Sequence, residues 1–154
     1  MASANTYVVT TSKASFATAQ TIVQIATPST KPIQIIRVSV SQEGYTTSSG
    51  LGVLLYKGGA TMTWTSPTTV TPAKLNPSDA AASSTVTAWG TSASDGTSPT
   101  NLIEDGFNSL SSYLYLPVPE ERIVIPASSW FCVKLLGTVP SSTWDCNIVY
   151  QELG

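Results

Sequence analysis

The sequence contains no histidine. That absence removes the commonest general base, the usual zinc ligand and every Ser-His-Asp or Cys-His arrangement. Charge is scarce as well: Asp, Glu, Lys and Arg make up 10% of the 154 residues, against an ordinary share of ~25%. A net charge of −2 offers no basic footprint to DNA or RNA. Two cysteines, Cys132 and Cys146, are too few for a disulfide scaffold or a zinc site. They are expected to be reduced and structural. No run approaches the ~20 apolar residues of a membrane span. The opening residues, MASANTYVVTTS, lack the basic and apolar regions of a secretion signal, so none is expected. No stretch shows the apolar period of an ordinary helix.

What the chain has instead is hydroxyl groups and alternation. Ser and Thr fill well over a quarter of it. Such a weakly charged surface repels neighbours poorly and suits a protein that lives against other protein. Residues 31–42, KPIQIIRVSVSQ, are the organising strand. Ile36, Val38 and Val40 point one way, and Arg37, Ser39 and Ser41 the other, the period of a half-buried strand. Pro32 stands at its entry, where a missing backbone donor costs least.

Further strands are expected at 6–11 behind a polar arm, at 20–26, at 51–56 and at 84–89. Pro72 demotes 69–75 to an edge, and 76–84 has the composition of one capped helical turn. Residues 90–100 form the clearest loop, and 101–108 is ambiguous. Strands follow at 113–118, 122–125, 130–136 and 144–151. Many short strands separated by turns, with no linker or repeat, mean one all-β domain, an antiparallel β-sandwich. We place an N-terminal arm at 1–6 and the domain at 7–154. The expected core is Ile36, Val38, Val40, Val53, Leu55, Leu114, Leu116, Ile123, Ile125, Phe131, Val133 and Ile148.

The last two strands bear on topology. The apolar set is odd-numbered in 130–136 (Phe131, Val133, Leu135) and even-numbered in 144–150 (Trp144, Cys146, Ile148, Tyr150). A simple hairpin between them would turn one apolar face outward. A β-bulge could repair the conflict; a connection that crosses between sheets, as in a jelly roll, also resolves it, is the favoured reading and sends Cys132 and Cys146 to different surroundings.

Catalytic candidates are few. Glu120 and Glu121 are adjacent in a turn and do not form the opposed pair of a glycosidase. Asp95-Gly96 and Asp105-Gly106 are turn formers without the dense ligand spacing of a calcium loop. Gly58-Gly59 is a turn, since no Gly-Lys-Ser/Thr follows it. Neither enzymatic activity nor a cofactor or metal is expected.

The succession GVLLYKGGAT, PAKLNPSDAAASSTV, ERIVIPASSWFCVKLL and CNIVYQEL resembles small head proteins of tailed bacteriophages. These are single-domain β-sandwich decoration, or cement, proteins of the capsid. The resemblance spans about residues 8–152, and its most specific part is Pro72–Ala82, a Pro-x-Lys-Leu-x-Pro-x-Asp-x-Ala pattern followed by a Thr-rich strand. It implies a jelly-roll-like fold and a virion protein on the outer capsid surface. The implied partners are the major capsid protein and further copies of the chain, as a dimer or trimer, with no nucleic acid or membrane.

The expected partner interface combines the arm (Ala2, Ser3, Ala4, Asn5, Thr6) with Tyr113, Tyr115 and Trp64. An extended arm can add to a neighbour's sheet edge. The tyrosines are expected on the face opposite Leu114 and Leu116, where large amphipathic side chains favour contact. The alternative is a carbohydrate- or receptor-binding module, with Trp64, Trp89, Trp130 or Trp144 stacked on sugars.

Overall fold

The computed structural model describes residues 4–44 and 48–154 of the chain. Among the described residues fourteen strands run in order as β1 (Asn5–Phe16), β2 (Thr21–Ala26), β3 (Ile33–Glu43), β4 (Gly50–Lys57), β5 (Trp64–Thr65), β6 (Thr68–Val70) and β7 (Ala73–Lys74). They continue as β8 (Thr85–Ala88), β9 (Ser92–Ala93), β10 (Thr100–Asn108), β11 (Tyr113–Tyr115), β12 (Val124–Ile125), β13 (Trp130–Leu136) and β14 (Ser142–Glu152). Sheet I has the order β11-β3-β14-β1-β7, with β12 also on β3; sheet II has the order β10-β4-β13-β2-β8-β6. Every pairing is antiparallel. The sheets pack face to face as a β-sandwich. Between them lie Tyr7, Val9, Ile35, Val38, Val40 and Ile148 from sheet I and Val23, Val53, Leu55, Phe131 and Val133 from sheet II.

The chain does cross between sheets from β13 to β14. Phe131, Val133 and Leu135 face the core from one side, and Trp144, Cys146 and Ile148 from the other. Cys132 therefore lies on the outer side of sheet II, in a small separate cluster with Leu54 and Tyr56. Cys146 lies in the main core. Both thiols are free and buried. Burial is the main cause that pushes Cys132 up to about 12 and raises Cys146 further still. A thiol reagent should modify neither cysteine in the folded protein and both after denaturation without reductant. Recovering no free thiol from the denatured chain would overturn this.

Four expectations need correction. Ile36 is not a core residue. The register between β3 and β14 slips there, with Val149 opposite Arg37 and Tyr150 opposite Ile35. The extra residue is a β-bulge, which reverses the inward parity of one strand. Ile33 and Ile35 are inward before it, and Val38 and Val40 after it. Ile36 is turned onto the outer surface beside Arg37.

The second correction concerns β11. Tyr113 and Tyr115 are 6% and 8% exposed, whereas Leu114 and Leu116 are 57% and 63% exposed. Register sets this, because Tyr113 pairs with the inward Val40 and Tyr115 with the inward Val38. The tyrosines also suit the margin of a core, where a ring is buried and its hydroxyl reaches a partner. Tyr113 donates to Asp105 Oδ2 at 3.1 Å, and Tyr115 to the Glu121 carbonyl at 3.0 Å.

The third is the arm. Asn5 and Thr6 are strand residues, paired with Glu152 and Gln151 of β14. Leu75 N–H donates to the Thr6 carbonyl at 3.0 Å, and Gln151 Nε2 to Thr6 Oγ1 at 3.1 Å. Strand β1 thus begins at Asn5, inside the stretch expected as the arm. Ala4 is exposed, and Ala2 and Ser3 lie outside the described residues. Residues 76–84 hold a turn, not a helix: Asp79 N–H donates to the Asn76 carbonyl at 3.0 Å. Among the described residues the helical content is one 3-10 turn, Pro119–Glu121.

Candidate docking face

The outer faces of the two sheets differ. Sheet II is roofed by its own loops. Strands β5 and β9 pair there, and Ala60 bridges to Thr97. The roof is pinned by Asp95, which accepts from Lys134 Nζ at 2.6 Å, Tyr56 at 3.1 Å and Thr21 at 3.3 Å. Gly96 makes this possible. Its φ is +76° and an added Cβ would lie 2.5 Å from the Gly59 carbonyl oxygen, so a side chain would force the two loops apart. Trp64 belongs to the roof as well. It is half-buried, and its Nε1 donates to Gln24 Oε1 at 2.6 Å.

Sheet I has no such roof among the described residues. Successive cross-strand rows divide its outer face in two. Toward one end, Arg37, Val149, Val8 and Ala73 lie abreast. Ile36, Leu116 and Leu75 join Val8, Arg37 and Val149 around an open groove of about 360 Å³. Leu114 continues this patch along β11, and Val118 and Val124 carry it along the sheet edge, each more than half exposed. Arg37 is exposed in its midst, and it has no ion-pair partner among the described residues.

Toward the other end the face is polar. Thr10, Ser12, Ser41, Glu43, Asp145 and Asn147 line a second open basin of about 340 Å³. The Asp145 carboxyl is raised above the usual range, first by partial burial and then by the neighbouring Glu43. The folded state therefore holds this proton more tightly than the unfolded chain does. Its contribution to stability is present at low pH and is lost as pH rises through the folded value. Glu43→Gln should lower the Asp145 midpoint in a carboxyl NMR titration, and burial should keep it above that of an unfolded peptide. An unmoved midpoint would mean the two carboxyls do not interact.

The expected interface residues do not converge. Tyr113 and Tyr115 are core, Trp64 is in the roof of sheet II, and Asn5 and Thr6 are paired within the domain. The four tryptophans are likewise spoken for. Trp89 and Trp144 are buried, while Trp64 and Trp130 are half-buried. Leu114, Leu116 and Val124 carry the surface that the sequence reading assigned elsewhere. The signal for them was the parity of β11 against β3, which depends on register and cannot be read from one strand alone. Among the described residues no group of three or more Cys, Asp or Glu side chains gathers as a metal site, and no helix is long and apolar enough to cross a membrane. Comparison with protein-family models, with characterised proteins and with solved structures found no match to this chain.

Proposed function

We propose that this chain is a structural virion protein that decorates and stabilises a phage capsid by bridging adjacent major capsid subunits. The observation that supports it best is the asymmetry of the two outer faces. One is closed by the protein's own loops, and the other is uncovered among the described residues and half apolar. Exposed apolar area of that kind marks a protein-docking surface. The low charge and abundant hydroxyls suit many weak contacts repeated over a shell.

Strand order supports the finer fold reading. Counting only the principal strands β1, β2, β3, β4, β10, β11, β13 and β14, sheet I takes the first, eighth, third and sixth, and sheet II the second, seventh, fourth and fifth. We infer a jelly roll, with β8 and β6 added beside β2. The work of such a protein is thermodynamic. Binding only the assembled, expanded lattice stabilises that state by mass action.

The test is sedimentation of the protein with empty shells before and after expansion, with a glycan panel in parallel. Saturable binding to expanded shells is expected. Glycan binding without shell binding would favour the sugar-binding alternative, in which Trp64 and Trp130 are the indoles with exposed surface. No binding to shells would overturn the proposal.

A further inference from the structure

We propose that the free edge of β10 accepts a further strand, an extended basic segment of another protein. This goes beyond the decoration reading, which rests on the outer face of the other sheet. Sheet II ends in β10, which pairs with β4 on one side and with no strand on the other among the described residues. Outer strands elsewhere are short: three residues in β6, two in β7, three in β11 and two in β12. β10 runs for nine residues, Thr100–Asn108. Its register with β4 slips once, between Asn101 and Ile103, and is unbroken from Ile103 to Asn108. Every residue of the strand is exposed except Ile103 and Phe107, which are half-buried against the core. Alternate residues of such a strand turn their N–H and C=O groups away from the one neighbour. A row of these unpaired groups is a template for another strand. β1 is also open beyond Val8, where its pairing with β7 stops. There the Trp89 indole donates to Thr11 Oγ1 at 2.7 Å, and the strand bulges between Lys13 and Phe16. A bulge bends a strand out of line for pairing.

Charge selects the occupant. The edge carries Glu104 and Asp105, and Thr100–Asn108 contains no lysine or arginine. Among the described residues no cation pairs with either carboxylate. Asp105 lies on the core side with Ile103 and Phe107, where its Oδ2 accepts from the Tyr113 hydroxyl at 3.1 Å. Glu104 stands on the other face, opposite Leu54 of the small outer cluster. A second copy of the chain does not fit this edge. Two β10 strands that overlap fully about a two-fold axis place Glu104 opposite itself, with Asp105 one residue away. Like charges set directly opposite destabilise a strand pair, whereas a lysine or arginine facing Glu104 stabilises it. Backbone hydrogen bonds then supply the affinity, and the side chains opposite Glu104 supply the selection.

The probe is a capped peptide, Thr-Lys-Val-Lys-Thr-Lys-Val-Lys-Thr, titrated into isotope-labelled protein and followed by NMR. Its lysines all fall on one face of a strand. Amide shifts should move along β10 and the adjoining β4, with no comparable change at β6, β7, β11 or β12. With peptide at about ten times its Kd, the outward amides of β10 should exchange about tenfold more slowly. Methylating one alternate set of peptide nitrogens should abolish binding, and methylating the other set should leave it. The same peptide with glutamate in place of lysine should bind the parent several-fold more weakly. Glu104→Lys, checked for folding by circular dichroism, should reverse that order. No shift at β10, equal effects of the two methylated sets, or equal affinity of the parent for both peptides would overturn the proposal. So would protection of the β10 amides that rises with protein concentration alone, because a second copy would then take the edge.

Discussion

Trp144→Ala should destabilise the domain by about 4 kcal/mol, the upper range for removing a buried aromatic. Domains of this size are held by only ~5–15 kcal/mol, so the loss removes a large share of the total stability. Trp144 is fully buried on β14, where its backbone faces Gln42 of β3 and Lys13 of β1. Its ring meets Phe107 of the opposite sheet edge-on, at 6.4 Å and 88°. Its Nε1 donates at 3.1 Å to the carbonyl of Pro140, in the segment that carries the chain from β13 to β14. One side chain thus joins both sheets and fixes the crossover. Rigid strands on each side cannot collapse onto the space it leaves, so the cavity cost adds to the lost burial. Trp144→Phe should cost less than half as much, because most of the packing survives. Urea unfolding of both variants gives the answer. A loss below ~1 kcal/mol for the alanine variant would mean that this end of the sandwich repacks or is not closed by Trp144.

Much of the fold was legible because burial imposes a period. β13 was expected at the residues where it occurs, and β2, β3, β4 and β14 were within two residues of theirs. The opposed parities of Phe131 and Cys146 favoured the crossover over a hairpin repaired by a bulge. What stayed hidden depended on partners distant in sequence. The bulge at Ile36 leaves no local mark, since IQIIRVSV alternates plausibly on either side of it. The orientation of β11 was ambiguous for a related reason: YLYL is apolar on both faces, and only pairing with Val38 and Val40 decides which side is buried. Asp95 looked like a turn former, yet it is the pin of a roof that brings Lys134, Tyr56 and Thr21 together from three strands. The docking face was missed as a consequence of β11, because the leucines assigned to the core are the exposed residues. Arg37 was placed on the outward side correctly, but its importance appears only once its apolar neighbours are known.

Glu152→Ala should cost about 3 kcal/mol, although Glu152 stands two residues from the end of the chain, where truncation is usually tolerated. The reason is its burial. Glu152 is 2% exposed, and its Oε1 accepts from the backbone N–H groups of Ser83 and Ser84, each at 2.8 Å, and from Ser84 Oγ at 2.9 Å. Consecutive N–H groups of this kind make a small anion-binding concavity. Tyr150 adds a hydroxyl contact to Ser84 at 2.6 Å, and Tyr7 donates to the Ala80 carbonyl at 3.1 Å. Loop 76–84 is thereby strapped across the end of the sandwich by side chains of β1 and β14. Among the described residues no cation pairs with the carboxylate, so its stabilising effect is that of charge-assisted hydrogen bonds. Alanine would leave those donors buried without an acceptor, which costs more than the bonds themselves contribute. Glu152→Gln keeps a carbonyl oxygen for Ser83 and Ser84 and should lose only about 1 kcal/mol. Amide hydrogen exchange supplies the local reading. Ser83 and Ser84 should lose protection in the alanine variant and keep most of it in the glutamine variant. Equal stability of alanine and glutamine, with both amides still protected, would mean that the loop is held by Tyr7 and packing, and that the carboxylate is dispensable.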